Sequence, residues 1–271
     1  MDNRPIGIFD SGIGGLTVAN AVSGLLPNES IIYFGDTAHL PYGDKSAELI
    51  KSYALHISEF LLEQKNCKAL VIACNTASAV AYEYLRDKHK GNIPVVNVID
   101  PIVEAIVADD HIKRVGIIAT NATIQSGVYQ EKLKRRKPGI ELFPLATPLL
   151  VPMIEEGFAN DNISSSVIHN YLEKAELETP DALILGCTHY VLIRDEIDAF
   201  YKKKVKLFDS TLITASKLKH ILTKENLLSE KSNAKHHFYI SDFTEAFNRS
   251  AERFYGNNIQ LEEYTLTKNN Q

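Results

Sequence analysis

Short apolar runs alternate with amphipathic stretches along most of the chain. One stretch, residues 46–64, predicts a helix because Leu49, Tyr53 and Ile57 recur there at helical spacing. Strand–helix alternation with nearly continuous apolar strands is typical of α/β proteins with mostly parallel sheets. The apolar runs predict strands at 5–9, 30–34, 69–73, 95–99, 114–119, 140–144, 182–186 and 205–208.

The apolar runs also repeat in one order, at offsets of 109 or 113 residues. Three matches in the same order at nearly one offset predict two similar α/β halves, facing one another with an active-site cleft between them. One large sheet of generic strands is the alternative. The matched segments are 6–9 with 115–118, 69–74 with 182–187, and 96–100 with 205–209.

The section after Asp209 has no third copy of the cysteine-containing segment. Residues 237–240 resemble a strand, and 242–255 resemble a helix that stops at Gly256. This tail is therefore expected to return and complete the first half. The predicted domains are 1–99 plus 209–271, which is discontinuous, and 100–208.

Composition excludes several classes of protein. The chain has 271 residues, 45% of them hydrophobic, which is ordinary for a globular protein and unlike a disordered one. With 29 basic and 34 acidic residues, the net charge of −5 argues against a chain-wide nucleic-acid surface. No apolar stretch approaches the roughly 18 residues of a membrane span, and the first residues lack the layout of a signal peptide. We expect no nucleic-acid or membrane partner.

Three cysteines occur, with no CxxC pair, which argues against a disulfide scaffold and a four-cysteine zinc site. His236 and His237 have no carboxylate or cysteine at ligand spacing, so we predict no metal site. Free thiols are typical of a reducing compartment, and we expect a cytoplasmic protein. Cys67 is interpreted as a small buried hydrophobe.

Cys74 and Cys187 carry the main chemical signal, because each lies where an apolar strand stops and a predicted helix begins. Ligands of open α/β sheets bind beyond the carboxyl ends of the strands. A helix N-terminus stabilises nearby negative charge, so each thiol is expected to have a lowered pKa. Asn75, Thr76 and Thr188 can cap these helices or hydrogen-bond a ligand carboxylate.

Two thiols on opposite faces of a bound substrate suit a stereochemical inversion. One thiolate removes a proton from one face, and the opposite thiol delivers a proton to the other face. Nucleophilic catalysis needs one thiol and a base rather than two symmetric thiols. His189, two residues after Cys187, can exchange protons with it near neutral pH.

Other candidates follow strand ends. Asp10 and Ser11 precede a glycine-rich turn that permits close backbone approach to a ligand, although its spacing is not that of a dinucleotide fingerprint. Residues 40–43 form a turn by composition. Glu155 and Glu156 are interpreted by default as solvated helix charges.

These motifs together resemble glutamate racemases, in the cofactor-independent aspartate/glutamate racemase family. The resemblance extends from residue 6 to residue 190. The segments that carry it are GIFDSGIGG (7–15), FGDT (34–37) with PYG (41–43), ACNTA (73–77) and GCTHY (186–190).

The resemblance implies two α/β domains and a two-base interconversion of L- and D-glutamate that needs no cofactor and supplies D-glutamate for peptidoglycan. Cys74 would take the α-proton from the D enantiomer with help from Asp10, and Cys187 from the L enantiomer with help from His189. Glu155 aligns with a family acid, and a homodimer is expected. The implied substrate-binding residues are Asp10, Ser11, Pro41, Tyr42, Gly43, Asn75, Thr76, Thr188 and His189.

The sequence is also compatible with three other functions. An aspartate racemase, or a related two-cysteine isomerase, would share the paired thiols. A two-lobed binding protein would use the cysteines only to shape an amino-acid cleft. A thiol hydrolase would pair Cys187 with His189.

Overall fold

The structure, a computed structural model, describes residues 1–174, 177, 179–230, 232–256 and 259–266. The chain divides into two compact units, Met1–Val98 with Thr211–Gln271 and Ile99–Ser210. Each unit contains one sheet, and every pair of neighbouring strands in the two sheets is parallel. The predicted α/β class with parallel sheets is confirmed.

The described residues contain ten strands and eleven α-helices. The strands are β1 (Ile6–Asp10), β2 (Ile31–Gly35), β3 (Ala69–Ile72), β4 (Val95–Asn97), β5 (Arg114–Ala119), β6 (Glu141–Ala146), β7 (Ala182–Gly186), β8 (Lys206–Phe208), β9 (His236–Ile240) and β10 (Leu261–Glu263). The α-helices are α1 (Leu16–Leu25), α2 (Ala47–Glu59), α3 (Asn75–Lys88), α4 (Asp100–Val107), α5 (Asn121–Gln125), α6 (Val128–Arg136), α7 (Leu150–Glu155), α8 (Asn162–Leu172), α9 (Arg194–Phe200), α10 (Thr211–Lys224) and α11 (Glu245–Tyr255).

The two sheets share one topology, which confirms the repeat seen in the sequence. The first sheet contains the order β2-β1-β3-β4, and the second has the order β6-β5-β7-β8. The three matched segments therefore occupy equivalent strands. In the first unit, β9 and β10 from the C-terminal section extend the sheet beyond β2.

The central strands of each sheet are wholly buried, as their uninterrupted apolar runs predict. All residues of β1, β3 and β7 are buried. Because side chains alternate between the two faces of a strand, both faces of each sheet are covered. The polar residues that follow these strands therefore lie at the carboxyl edge of a rigid sheet.

The predicted helix over 46–64 is two elements. Ser46 caps α2 by accepting a hydrogen bond from the Leu49 N–H, and a π-helical turn over Phe60–Gln64 follows α2. A π-turn of this kind is a single turn within a longer helical run, so the sequence pattern does not distinguish it from α-helix. Leu49, expected on the buried face, is 40% exposed, whereas the neighbouring Ile50 is fully buried.

The structure after Cys187 also differs from the single helix that the sequence predicts. A 3₁₀-helix covers Thr188–Ile193, and the α-helix α9 begins only at Arg194. The helix near the C-terminus begins at Glu245, three residues later than expected, because Thr244 caps it by accepting from the Phe247 N–H.

A buried ion pair ties distant segments together at the amino-terminal edge of the first sheet. Lys68 is fully buried, and its Nζ lies 2.5 Å from the carboxylate of Glu29. The same Nζ donates to the backbone oxygens of Asp2 (2.6 Å) and Leu227 (2.7 Å). The start of the chain and the segment after α10 are thereby attached to β3.

Replacing Lys68 with methionine should therefore lower the free energy of unfolding by about 3–5 kcal/mol, because it leaves Glu29 charged and buried without its partner. Urea unfolding measures this loss. Lys88→Met is the matched control, since its partly exposed ion pair with Glu59 is worth at most about 1 kcal/mol. Equal losses in the two variants would contradict the prediction.

No helix among the described residues has the length and apolar character that a bilayer crossing requires. Within the same part of the chain, no cluster of three or more His, Cys, Asp or Glu side chains is arranged to bind a metal ion.

Candidate active site

Cys74 lies at the carboxyl edge of the first sheet, between β3 and α3. It is the N-cap residue of α3, is 5% exposed, and its sulfur accepts a hydrogen bond from the Ala77 N–H at 3.4 Å. A helix N-terminus with a donated N–H favours negative charge on this sulfur. The thiol donates to the Ser11 hydroxyl at 3.5 Å, which brings together two of the predicted site residues.

Asp10 ends the neighbouring strand and is buried. Its Oδ2 accepts hydrogen bonds from the backbone N–H groups of Gly12 (3.2 Å) and Gly15 (3.0 Å). A Cβ at Gly15 would lie 2.5 Å from the Asp10 Cβ and 2.9 Å from that of Ala73, so only glycine fits there. The glycine-rich turn therefore wraps the carboxylate with backbone donors and fixes its position.

Tyr42 stands in a 3₁₀-helix near the same sheet edge. It is fully buried, and its hydroxyl donates to the Asp36 carboxylate at 2.6 Å. Burial and Asp36 raise the pKa of Tyr42 well above its usual value, and the negative charges of Cys74 and Asp10 raise it further. Tyr42 is thus a neutral donor within electrostatic reach of both groups.

The other predicted substrate-binding residues have varied exposure. Asn75, Thr76 and Thr188 are buried in the first turns that follow the two cysteines. Pro41 is exposed and Gly43 is partly buried on either side of Tyr42.

Cys187 lies at the equivalent place in the second sheet, immediately after β7, and is 8% exposed. Its sulfur lies 3.6 Å from Nδ1 of His189. Nε2 of the same ring lies 2.9 Å from Oε1 of Glu155. The Cys187 sulfur, the His189 ring and the Glu155 carboxylate therefore form one continuous hydrogen-bond network, in which each ring nitrogen has a hydrogen-bond partner.

The pKa of His189 is raised to about 10. Burial by itself would lower this pKa, but the Cys187 sulfur and the Glu155 carboxylate outweigh burial by stabilising the charged ring. His189 is therefore a cation at neutral pH, and its two ring nitrogens face the Cys187 sulfur and the Glu155 carboxylate. Glu155 supplies the carboxylate, whereas the adjacent Glu156 is exposed.

The sulfurs repeat between the two units, but the charged groups beside them do not. The offset of 109 residues that relates β1 to β5 places Ala119 where the first unit has Asp10. The offset of 113 places Thr76 where the second unit has His189. One sulfur is therefore accompanied by an anion, and the other by a cation.

Four polar residues at the edge of the second sheet have no role predicted from the sequence. Thr147 is fully buried, and its Oγ1 lies 2.7 Å from the hydroxyl of Tyr190. Thr120 and Thr123 follow β5, with their hydroxyls 3.1 Å apart. The repeat contained the signal for two of them, because Thr147 follows β6 as Asp36 follows β2, and Thr120 corresponds to Ser11.

Two related α/β units, each with a buried cysteine after a central strand and with an acid/base group beside it, define an isomerase of the racemase class. The chain belongs to the Asp/Glu/Hydantoin racemase family, whose model matches residues 17–218. It is accordingly an amino-acid racemase.

Individual relatives are similar over nearly the whole chain. A glutamate racemase of Neisseria meningitidis is 42% identical, covering 95% of this chain and 94% of its own. A glutamate racemase of Geobacter metallireducens is 42% identical, covering 96% and 95%. The crystal structure of glutamate racemase from Francisella tularensis in complex with D-glutamate superposes with a TM-score of 0.91 at 41% identity, covering 98% of this chain and 99% of that one.

Proposed function

We propose that this racemase interconverts L- and D-glutamate by a two-base transfer at Cα, with Cys74 and Cys187 as the two bases. The observation that carries the proposal is the pair of buried sulfurs at equivalent sheet edges, each with its own acid/base partner. The choice of glutamate rests on the relatives, one of which has D-glutamate bound.

In the L-to-D direction, the Cys187 thiolate takes the α-proton of L-glutamate and becomes a thiol. The cationic ring of His189 lies next to that sulfur and is proposed to assist the transfer. The thiol of Cys74 then gives its proton to the opposite face of the carbanion, which yields D-glutamate and a Cys74 thiolate. Exchange of protons with solvent restores both sulfurs, and the D-to-L direction reverses every step.

Asp10 and His189 are proposed as the acid/base partners of the two sulfurs. Asp10 assists Cys74, and His189, whose Nδ1 lies 3.6 Å from the Cys187 sulfur, assists Cys187. The two directions of the reaction use the same four groups, with the proton-accepting and proton-donating roles of the two sulfurs exchanged.

The α-proton of an amino acid is far less acidic than a thiol, so the carbanion needs strong stabilisation by preorganised donors in a site that excludes water. Backbone N–H groups in the first turns after the two cysteines are suited to this role. Asn75, Thr76 and Thr188 are suited to hydrogen-bond the substrate carboxylates. This chemistry uses side chains and backbone alone, so the proposed reaction needs no cofactor.

The direct test is incubation of purified protein with L-glutamate in heavy water, without added cofactor. We expect loss of optical rotation together with entry of deuterium at Cα, and a slower reaction or none with L-aspartate. Faster turnover of aspartate would reject glutamate as the substrate, and racemisation without deuterium entry would reject proton transfer.

Glu155 is proposed to hold His189 in orientation and charge. Glu155→Gln should lower kcat by about tenfold, the effect of losing roughly 1.4 kcal/mol in the transition state. Steady-state racemisation measures the change, and Glu156→Gln is the matched control because Glu156 is the exposed neighbour. Equal activity of the two variants would remove Glu155 from the mechanism.

Further parts of the proposal concern the cell. The chain's three cysteines are free, and free thiols persist in a reducing compartment, which supports a cytoplasmic enzyme. D-glutamate produced there would supply peptidoglycan synthesis. Depletion of the protein should then make growth depend on added D-glutamate.

A homodimer is also proposed, and analytical ultracentrifugation of the purified chain tests it.

A further inference from the structure

Two buried tyrosines support the backbone that carries the acid/base groups. In the first unit, Tyr33 on β2 is fully buried, and its hydroxyl donates to the backbone oxygen of Gly12 at 2.8 Å. The N–H of the same Gly12 donates to the Asp10 carboxylate. The tyrosine hydroxyl therefore fixes one side of the turn that surrounds Asp10.

In the second unit, Tyr190 is fully buried in the 3₁₀-helix after Cys187, and its N–H donates to the Cys187 oxygen at 3.1 Å. Its hydroxyl hydrogen-bonds Oγ1 of Thr147 at 2.7 Å and donates to the Thr147 oxygen at 3.3 Å. Thr147 is attached in turn to the end of β5, because its N–H and Oγ1 both donate to the Ala119 oxygen. The short helix that follows Cys187 and contains His189 is thus attached to the ends of β5 and β6.

Neither tyrosine is suited to act as a base. Burial raises the pKa of Tyr33 well above its usual value, and the negative charges of Asp10 and Cys74 raise it further. Burial and the charge of Cys187 likewise raise the pKa of Tyr190 well above its usual value. Both hydroxyls remain neutral donors whose hydrogen bonds are directed at backbone or threonine oxygens.

We propose that Tyr33 and Tyr190 are positioning residues for the two halves of the racemisation: Tyr33 sets the place of Asp10 beside Cys74, and Tyr190 sets that of Cys187 and His189. The inference rests on the proposed two-base function. Proton transfer is sensitive to the placement of the reacting groups, and a displacement of about 1 Å can cost on the order of 100-fold in rate.

The variants Tyr33→Phe and Tyr190→Phe remove only the hydroxyls. We expect kcat to fall about 10–100-fold in each. Because L- and D-glutamate are mirror images of equal energy, kcat/KM must fall equally in both directions, so rates alone do not show which half of the site is affected.

Primary isotope effects with α-deuterated substrates separate the two halves. In Tyr33→Phe, proton removal by Cys74 becomes more rate-limiting, so the effect should rise for D-glutamate and fall for L-glutamate. Tyr190→Phe should give the reverse. An isotope effect does not depend on the fraction of active enzyme, so a partly unfolded sample still gives a valid result.

Tyr201→Phe is the matched control. Its hydroxyl also donates from a buried position to a backbone oxygen, that of Leu177 at 2.9 Å, but it follows α9 rather than a cysteine. We expect it to leave the isotope effects of the wild type unchanged. Thr147→Val removes a hydrogen-bond partner of Tyr190, so it should shift the isotope effects in the same direction as Tyr190→Phe. This variant replaces Tyr190→Phe in the experiment if Tyr190→Phe does not fold.

Unchanged kcat, or lower kcat with the isotope pattern of the wild type, would show that the tyrosines are only structural and would overturn the proposal. Failure of the underlying function is a separate result. In that case the wild-type protein itself would show no racemisation and no deuterium entry, whatever the variants do.

Discussion

Cys74→Ser and Cys187→Ser should each lower the kcat of racemisation by about 10²–10⁴-fold, the usual contribution of a positioned acid or base. A serine hydroxyl holds its proton too tightly to serve as the base and gives it up too reluctantly to serve as the acid. Polarimetry with either glutamate enantiomer measures the loss. Cys67→Ser is the control: Cys67 is a buried free thiol outside the proposed site, so kcat should be retained.

A partial reaction makes this result more specific. Cys74→Ser retains Cys187, which can still remove the α-proton of L-glutamate and return a deuteron to the same face in heavy water. We therefore expect slow deuterium exchange into L-glutamate without inversion, and into D-glutamate for Cys187→Ser. Full racemisation by either variant, or exchange into the opposite enantiomers, would contradict the assignment of the two sulfurs.

His189→Asn should lower kcat by about 10²-fold or more, because it removes the cationic ring that is proposed to assist Cys187. The pH dependence has a defined sign. Since the pKa of His189 is raised to about 10, the ring is charged at neutral pH and loses its charge as the pH rises through that value. Wild-type kcat for L-glutamate should therefore fall above about pH 10.

In the asparagine variant the alkaline fall assigned to His189 should be missing. A pH series of initial rates from both enantiomers measures the two profiles. His220→Asn, which changes an exposed histidine on α10, is the control and should preserve the wild-type profile. Identical alkaline profiles in the wild type and His189→Asn would show that another group titrates.

The repeat explains how much of the fold could be predicted. Strands such as β3 and β7 are buried on both faces, so their sequences are uninterrupted apolar runs that are recognisable without any tertiary information. Their common order then gave the shared topology of the two sheets. The types of helical turn could not be predicted, since the π-turn over Phe60–Gln64 and the 3₁₀-helix over Thr188–Ile193 contain 5 and 6 residues, too few to show a period of their own.

The sequence by itself determined the class of fold, the two matched cysteines and the polar residues that follow the strands. These features depend on local composition and on spacing along the chain. Only the tertiary structure decided that Glu155 rather than Glu156 supports His189, that Tyr33 holds Gly12, and that Tyr190 is bound to Thr147. Each of these contacts joins residues 21 to 43 positions apart, and folding alone brings such groups within hydrogen-bond distance.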